Sequence, residues 1–147
     1  MLKLIFICAA LALPLVAQTQ TNEDSVRKLI TDFATARNAQ DGQALLRTYA
    51  EDATYKPFDN PLIEGRNKIA MAWSKPWAGQ TARKITGVRF ARPDYAVVQV
   101  DSTFTGPKGS MHFTEVFEVG MQAGAWQIKL HRSYVRPQIE ELEFPKL

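Results

Sequence analysis

The sequence predicts an α+β domain, with helices in the first half of the chain and an antiparallel meander in the second. Two observations carry this. Apolar residues recur with a helical period up to Pro76 and then alternate with the period of a strand. Turn signals divide the second half into four strand-length segments. Helices and strands segregated in this way pack with the helices on one face of the sheet.

The chain opens with a leader. Residues 1–17 carry one charge, Lys3, and then an unbroken apolar run over 4–12. Pro14 ends the run, and Leu15-Val16-Ala17 places a small residue where a signal peptidase would cut. The run falls short of the roughly 18 apolar residues a spanning helix needs, so it reads as a cleaved secretory signal. Ile5-Phe6-Ile7 before Cys8 lacks the small residues expected ahead of a lipidated cysteine. The expected mature protein is one domain, residues 18–147, periplasmic or secreted and with no membrane segment of its own. About 130 residues suffice for a core without staples. They must, since the single cysteine, Cys8, leaves with the leader.

The elements follow in order. A polar lead-in over 18–22 precedes helix 1, whose stripe is Val26, Leu29, Ile30, Phe33 and Ala34. Thr21 or Asn22 is its expected cap, with Glu23 and Asp24 at the positive end of its dipole. Asp41-Gly42 opens a short helix 2, with Leu45, Leu46 and Tyr49 on one side. Residues 55–63, with Pro57, Asp59, Asn60 and Pro61, form a loop. Gly65 starts helix 3, with Ile69, Ala72 and Trp73 buried, and Pro76 stops it. Strands are predicted over 84–91, 96–104, 111–119 and 126–135, joined at Arg92-Pro93-Asp94 and at Gly106-Pro107-Lys108-Gly109.

Composition excludes several functions. Net charge is +3, with basic residues scattered at Arg27, Lys28, Arg37, Arg66, Lys68, Arg83, Lys84 and Arg132. They form no basic stripe with interleaved aromatics, so no nucleic-acid partner is implied and a solvated surface accounts for them. No glycine-rich phosphate loop occurs. Two histidines, His112 and His131, and no surviving cysteine leave no dedicated zinc site, so no metal or cofactor is expected.

Tyr49-Ala50-Glu51-Asp52-Ala53-Thr54, then Ile63-Glu64-Gly65-Arg66 and the helix ending in Trp73, resemble the SnoaL-like and ketosteroid-isomerase-like branches of the nuclear-transport-factor-2-like superfamily. The closing segment from Trp126 through His131 to Ser133 is similar to the end of the calcium/calmodulin-dependent kinase association domain, another member. The resemblance spans residues 23–137. It implies a cone of three helices against a strongly curved antiparallel sheet, with a pocket at the open end and often a dimer across the sheet. Members include enzymes and proteins without chemistry, so the fold alone leaves function open. In the steroid isomerases a helix 1 tyrosine and a protonated strand acid hold the oxyanion, and an aspartate is the base. Here Phe33 stands at the tyrosine position and Tyr55-Lys56-Pro57 at the base position, without a carboxylate. Only the strand acid is matched, by Glu115, so that mechanism does not carry over.

Glu115 interrupts the apolar alternation Met111, Phe113, Phe117, Val119. A carboxylate facing a core must be paired or stay neutral. It is therefore either a pocket acid, beside Phe113 and Phe117, or an outward residue of a strand whose Thr114–Val116 face is buried. His131 is its expected partner. Pairing Gly120 with Trp126 puts His131 opposite Glu115. Pairing Gly120 with Ala125 puts Leu130 there and brings Trp126 and Ile128 to Glu115's face. The hydrophobic pattern favours the second register and the resemblance the first. Tyr49, Tyr55, Trp73 and Trp77 are expected to line the pocket mouth, with core packing the plainer reading for Trp73. Asp59 stands near a missing base but suits an Asp-Asn turn. Ser133 is a lining residue rather than a nucleophile. The expected ligand is a small apolar molecule. The enzymatic version is proton transfer or hydration at an apolar carbonyl compound, with Glu115 as donor and His131 as base. The alternative is a non-catalytic structural or partner-binding module, dimeric across the sheet and with a vestigial pocket.

Overall fold

The computed structural model describes residues 13–135, so residues 1–12 of the expected leader and the last twelve positions lie outside it. Helix α1 runs Leu13–Asn38, α2 Gly42–Thr48 and α3 Arg66–Trp73. The strands are β1 Tyr49–Lys56, β2 Ile63–Glu64, β3 Gln80–Arg92, β4 Tyr95–Gly106, β5 Gly109–Gln122 and β6 Ala125–Val135. The α+β reading holds: three helices pack on one six-stranded sheet of order β2-β1-β6-β5-β4-β3, open between its edges.

The expected cap of the first helix is not used, because α1 begins earlier. Thr21 and Asn22 lie within it. The Thr21 carbonyl accepts from Ser25 Oγ at 2.9 Å, and Asn22 Nδ2 donates to the Pro93 carbonyl at 3.1 Å, tying α1 to the β3–β4 turn. Asp41 caps α2 as expected, accepting from Ala44 N. Tyr49, expected on α2, is instead the first residue of β1 and fully buried.

The sheet is mixed, not antiparallel throughout. Strands β3 to β6 form the meander, which leaves β6 with a free edge. The chain leaving α2 runs alongside that edge in the same direction, so β1 pairs with β6 in parallel. Register shifts in β3 and β6 mark bulges, and bulges bend strands. Bending lets one face of the sheet wrap the helices. Val26, Ile30 and Phe33 of α1, Leu45 of α2, Ile69 of α3 and Val98, Val100, Phe117, Val119 and Ile128 of the sheet form the core. Each such side chain contributes about 1.5–3 kcal/mol on full burial.

Neither expected register of the last hairpin is formed. Gln122 pairs with Ala125 across a two-residue turn, in which Ala123 (φ 50°) and Gly124 (φ 79°) are both left-handed. Such a turn matches the strand twist and fixes the start of the ladder. Val119 then pairs with Ile128, but Glu118 pairs with Leu130, so Lys129 is the extra residue of a bulge. Beyond it His131 opposes Phe117 and Ser133 opposes Glu115. The bulge resolves the conflict between the two registers. It turns both Ile128 and His131 to the inner face, which no regular strand could do.

Candidate functional site

The inner face of the sheet carries Glu115 of β5, with His131 and Ser133 of β6. All three are buried, and Glu115 and His131 are completely so. Thr114 is buried too, yet Glu115 is the residue that faces the helices, as the pocket-acid reading requires. A buried carboxylate needs partners, and it has four hydrogen bonds. Arg83 of β3 donates from Nε at 2.7 Å and from Nη2 at 3.3 Å, Ser102 Oγ of β4 donates at 2.6 Å, and His131 Nε2 lies at 3.1 Å. This saturates the lone-pair sites of a carboxylate.

Burial pushes the Glu115 carboxyl up. The adjacent Arg83 guanidinium and the bond from His131 outweigh it and hold the group down at about 2. Glu115 is therefore ionised at neutral pH. Burial lowers the basicity of His131 despite the neighbouring carboxylate, which leaves the ring neutral. A neutral ring beside a carboxylate carries its proton on Nε2, so Nδ1 accepts from the Tyr49 hydroxyl at 2.8 Å. The result is a buried chain, Tyr49 to His131 to Glu115. Burial raises the Tyr49 hydroxyl well above its ordinary value, so Tyr49 stays protonated.

Aromatic rings hold the histidine from several sides. Phe117 stacks on it at 4.2 Å and Trp73 at 6.1 Å, Tyr55 lies tilted against it at 4.5 Å, and Phe33 meets it edge-on at 5.3 Å. Phe33 thus faces the cluster at the position where the resemblance expected a tyrosine. The Tyr55 hydroxyl lies 3.5 Å from Ser133 Oγ. Phe113 is buried and contacts Phe58. Trp77 stacks on Phe104 at 4.5 Å, in the segment between α3 and β3. Asp59 is exposed on the 57–62 loop rather than turned into the cluster.

Two arginines assigned to a solvated surface on sequence are not there. The Arg37 residue is 4 % exposed, and the Arg83 side chain is 4 % exposed. The Arg37 guanidinium is sandwiched between Trp73 (4.1 Å) and Trp77 (3.8 Å), and Arg83 lies over Phe33 at 5.0 Å. Burial, then repulsion from Arg83, lowers Arg37 to about 10. The signals were faint but present. Arg37 stands four residues after Phe33 on the buried stripe of α1. Arg83 alternates with Thr81 and Ile85 at the start of β3, which extends before Lys84.

These side chains leave buried donors unsatisfied. Arg37 Nε and Nη1, Arg83 Nη1 and the indole nitrogens of Trp73 and Trp77 are buried without a hydrogen-bond partner. The Trp73 N–H faces the Tyr49 hydroxyl without reaching hydrogen-bonding geometry. An unmade bond at a buried group costs about 1–3 kcal/mol, and more at a charged one. A cleft of about 340 Å³ between α1 and β3, lined by Ile30, Ala34, Arg83 and Ile85 among others, reaches Arg83. A groove of about 640 Å³ beside α1, α2 and Trp126 shares none of the cluster's residues.

Comparison with known proteins agrees with this architecture. The family profile of the SnoaL-like domain matches residues 30–127. No curated protein matches the sequence. Among solved structures, a cystatin-like-fold domain of unknown function from Nostoc punctiforme PCC 73102 superposes with a TM-score of 0.74 at 18 % identity, covering 82 % of this chain and 80 % of that one. A ketosteroid isomerase-like protein from Erwinia carotovora atroseptica SCRI1043 gives 0.67 at 21 %, covering 75 % and 92 %. An NTF2-like protein of unknown function from Pseudomonas putida KT2440 gives 0.69 at 14 %, covering 87 % and 97 %. At these identities the likeness speaks for the fold alone.

Proposed function

This chain belongs to the SnoaL-like domain family, and from that premise we propose that it is an exported small-molecule-binding protein whose ligand occupies the helix-facing interior of the cone. The observation that carries this reading is the buried polar cluster of Glu115, Arg83, His131 and Tyr49, walled by Tyr55, Trp73 and Phe117, with Arg37 between Trp73 and Trp77 beside it. Buried charge is a costly way to fill a core, since apolar residues of similar volume are often as stable or more so. Flat aromatic walls around a few fixed polar groups are the ordinary make-up of a ligand site. Export rests on the leader over residues 1–17.

A proton-transfer enzyme is the second reading, favoured by the Tyr49–His131–Glu115 chain. In that version His131 acts through Tyr49: its Nδ1 takes the hydroxyl proton as Tyr49 takes one from the ligand, and the reverse transfer returns both. Glu115, ionised and saturated, orients the ring rather than donating a proton, and Tyr49 is the group of the chain that exchanges a proton with the ligand. A homodimer across the outer sheet face is a separate part of the proposal. It is supported by half-exposed Val97, Val116 and Leu130 on that face and by the likeness of the Trp126–Ser133 segment to an association domain.

The test is a fragment screen by NMR, reading the indole N–H signals of Trp73, Trp77 and Trp126. Binding in the cone shifts Trp73 and Trp77 and spares Trp126. A screen of neutral, acidic and basic aromatic fragments that moves neither Trp73 nor Trp77 would overturn the ligand-site reading.

A further inference from the structure

Among the described residues, the buried side-chain atoms near the site without a partner are donors, apart from the Thr81 hydroxyl, which can also accept. Arg37 Nε and Nη1, Arg83 Nη1 and the Trp73 and Trp77 indoles are all donors that cannot accept. The indole faces satisfy the faces of the Arg37 guanidinium, but its in-plane N–H groups need lone pairs. Glu115 cannot supply them, because its oxygens are taken by Arg83, Ser102 and His131. Charge points the same way. Arg37 and Arg83 bring two buried positive charges, and Glu115 is the one buried acid among the described residues. With His131 neutral, the site holds one uncompensated positive charge.

Deepening the small-molecule reading, on which it rests, we propose that the ligand is a small organic carboxylate with a flat apolar body. Its oxygens meet the free N–H groups of Arg37 and Arg83, and its body lies along the partly exposed edges of Trp73 and Trp77, whose faces Arg37, Tyr55 and Phe104 cover. A guanidinium fork matches a carboxylate in geometry. One net positive charge matches a monoanion, whereas a phosphate monoester carries nearly two negative charges at neutral pH. A neutral apolar molecule, expected from sequence, would leave both the charge and the donors unmet.

The experiment is calorimetric titration of the purified protein with benzoate and with benzamide, its neutral counterpart of nearly the same shape. Benzoate is expected to bind saturably and at least ten-fold more tightly than benzamide. Arg37→Gln should remove most of that preference. Arg37→Lys, which keeps the charge and loses the fork, should weaken benzoate several-fold while still preferring it to benzamide, and it decides the matter if the glutamine variant does not fold. Equal binding of both probes, or benzoate binding indifferent to Arg37, overturns the carboxylate but leaves a small-molecule site standing. If neither probe binds, and the fragment screen leaves Trp73 and Trp77 unmoved, both readings fall.

Discussion

At the scale of single residues, the charge of Glu115 is set by neighbours rather than by water. Its carboxyl is held at about 2 in the folded chain, against an ordinary 4.5. A depressed carboxyl stabilises the fold above its unfolded value, and that stability is lost as pH falls through the folded one. The window is therefore about pH 4.5 down to 2, and the loss is about 3 kcal/mol at 1.36 kcal/mol per unit. His131 acts in the same direction at higher pH. Its basicity is lowered on folding, so protons favour the unfolded chain as pH drops through about 6.5. Urea denaturation from pH 7 to 2 should show both limbs. A stability flat across pH 4.5 to 2 would contradict the ion pair. Glu115→Gln should flatten the acid limb and cost about 3–5 kcal/mol at pH 7, because it strands Arg83 in the interior. Tyr49→Phe leaves His131 Nδ1 unpaired and should cost about 1–3 kcal/mol.

At the scale of elements, β6 decides whether a site exists. Its single extra residue, Lys129, lets the strand present Ile128 to the core and His131 to Glu115. Deleting Lys129 restores a regular ladder and forces one of the two outward. The expected outcome is loss of cooperative unfolding or a drop in melting temperature well beyond that of an ordinary core substitution, measured by circular dichroism. The turn before it is more tolerant. An alanine Cβ at Gly124 would meet open space, but φ there is 79°. Gly124→Ala should therefore cost about 1–2 kcal/mol through backbone strain alone. A neutral substitution would show that the turn relaxes freely.

At the scale of the molecule, helix periodicity and strand alternation were enough to recover the three helices and four meander strands, within a few residues at the ends except the start of α1, which lies well before the expected cap. They could not recover the parallel β1–β6 pair, which depends on which sheet edge remains free after the meander closes. The outer sheet face raises the remaining question of assembly. Val116→Glu should convert a sedimenting dimer into a monomer, because Val116 stands mid-sheet between Gln99 and Arg132. A wild-type protein that sediments as a single 16.5 kDa chain, less any cleaved leader, would remove the dimer from the proposal.

The sequence by itself determined the α+β class and the family resemblance, and it named Glu115 and His131 as candidate partners without the register that joins them, which the Lys129 bulge decides. Each of these rests on local periodicity or on residue types a short distance apart. Only the tertiary structure decided the charge of the site. Arg37 and Arg83 read as surface residues because a lone arginine on an amphipathic helix or a strand end usually snorkels to water. Whether it does so depends on what lies over it. Here that is Trp73 and Trp77 over one and Phe33 under the other, brought together from separate elements by a bent sheet.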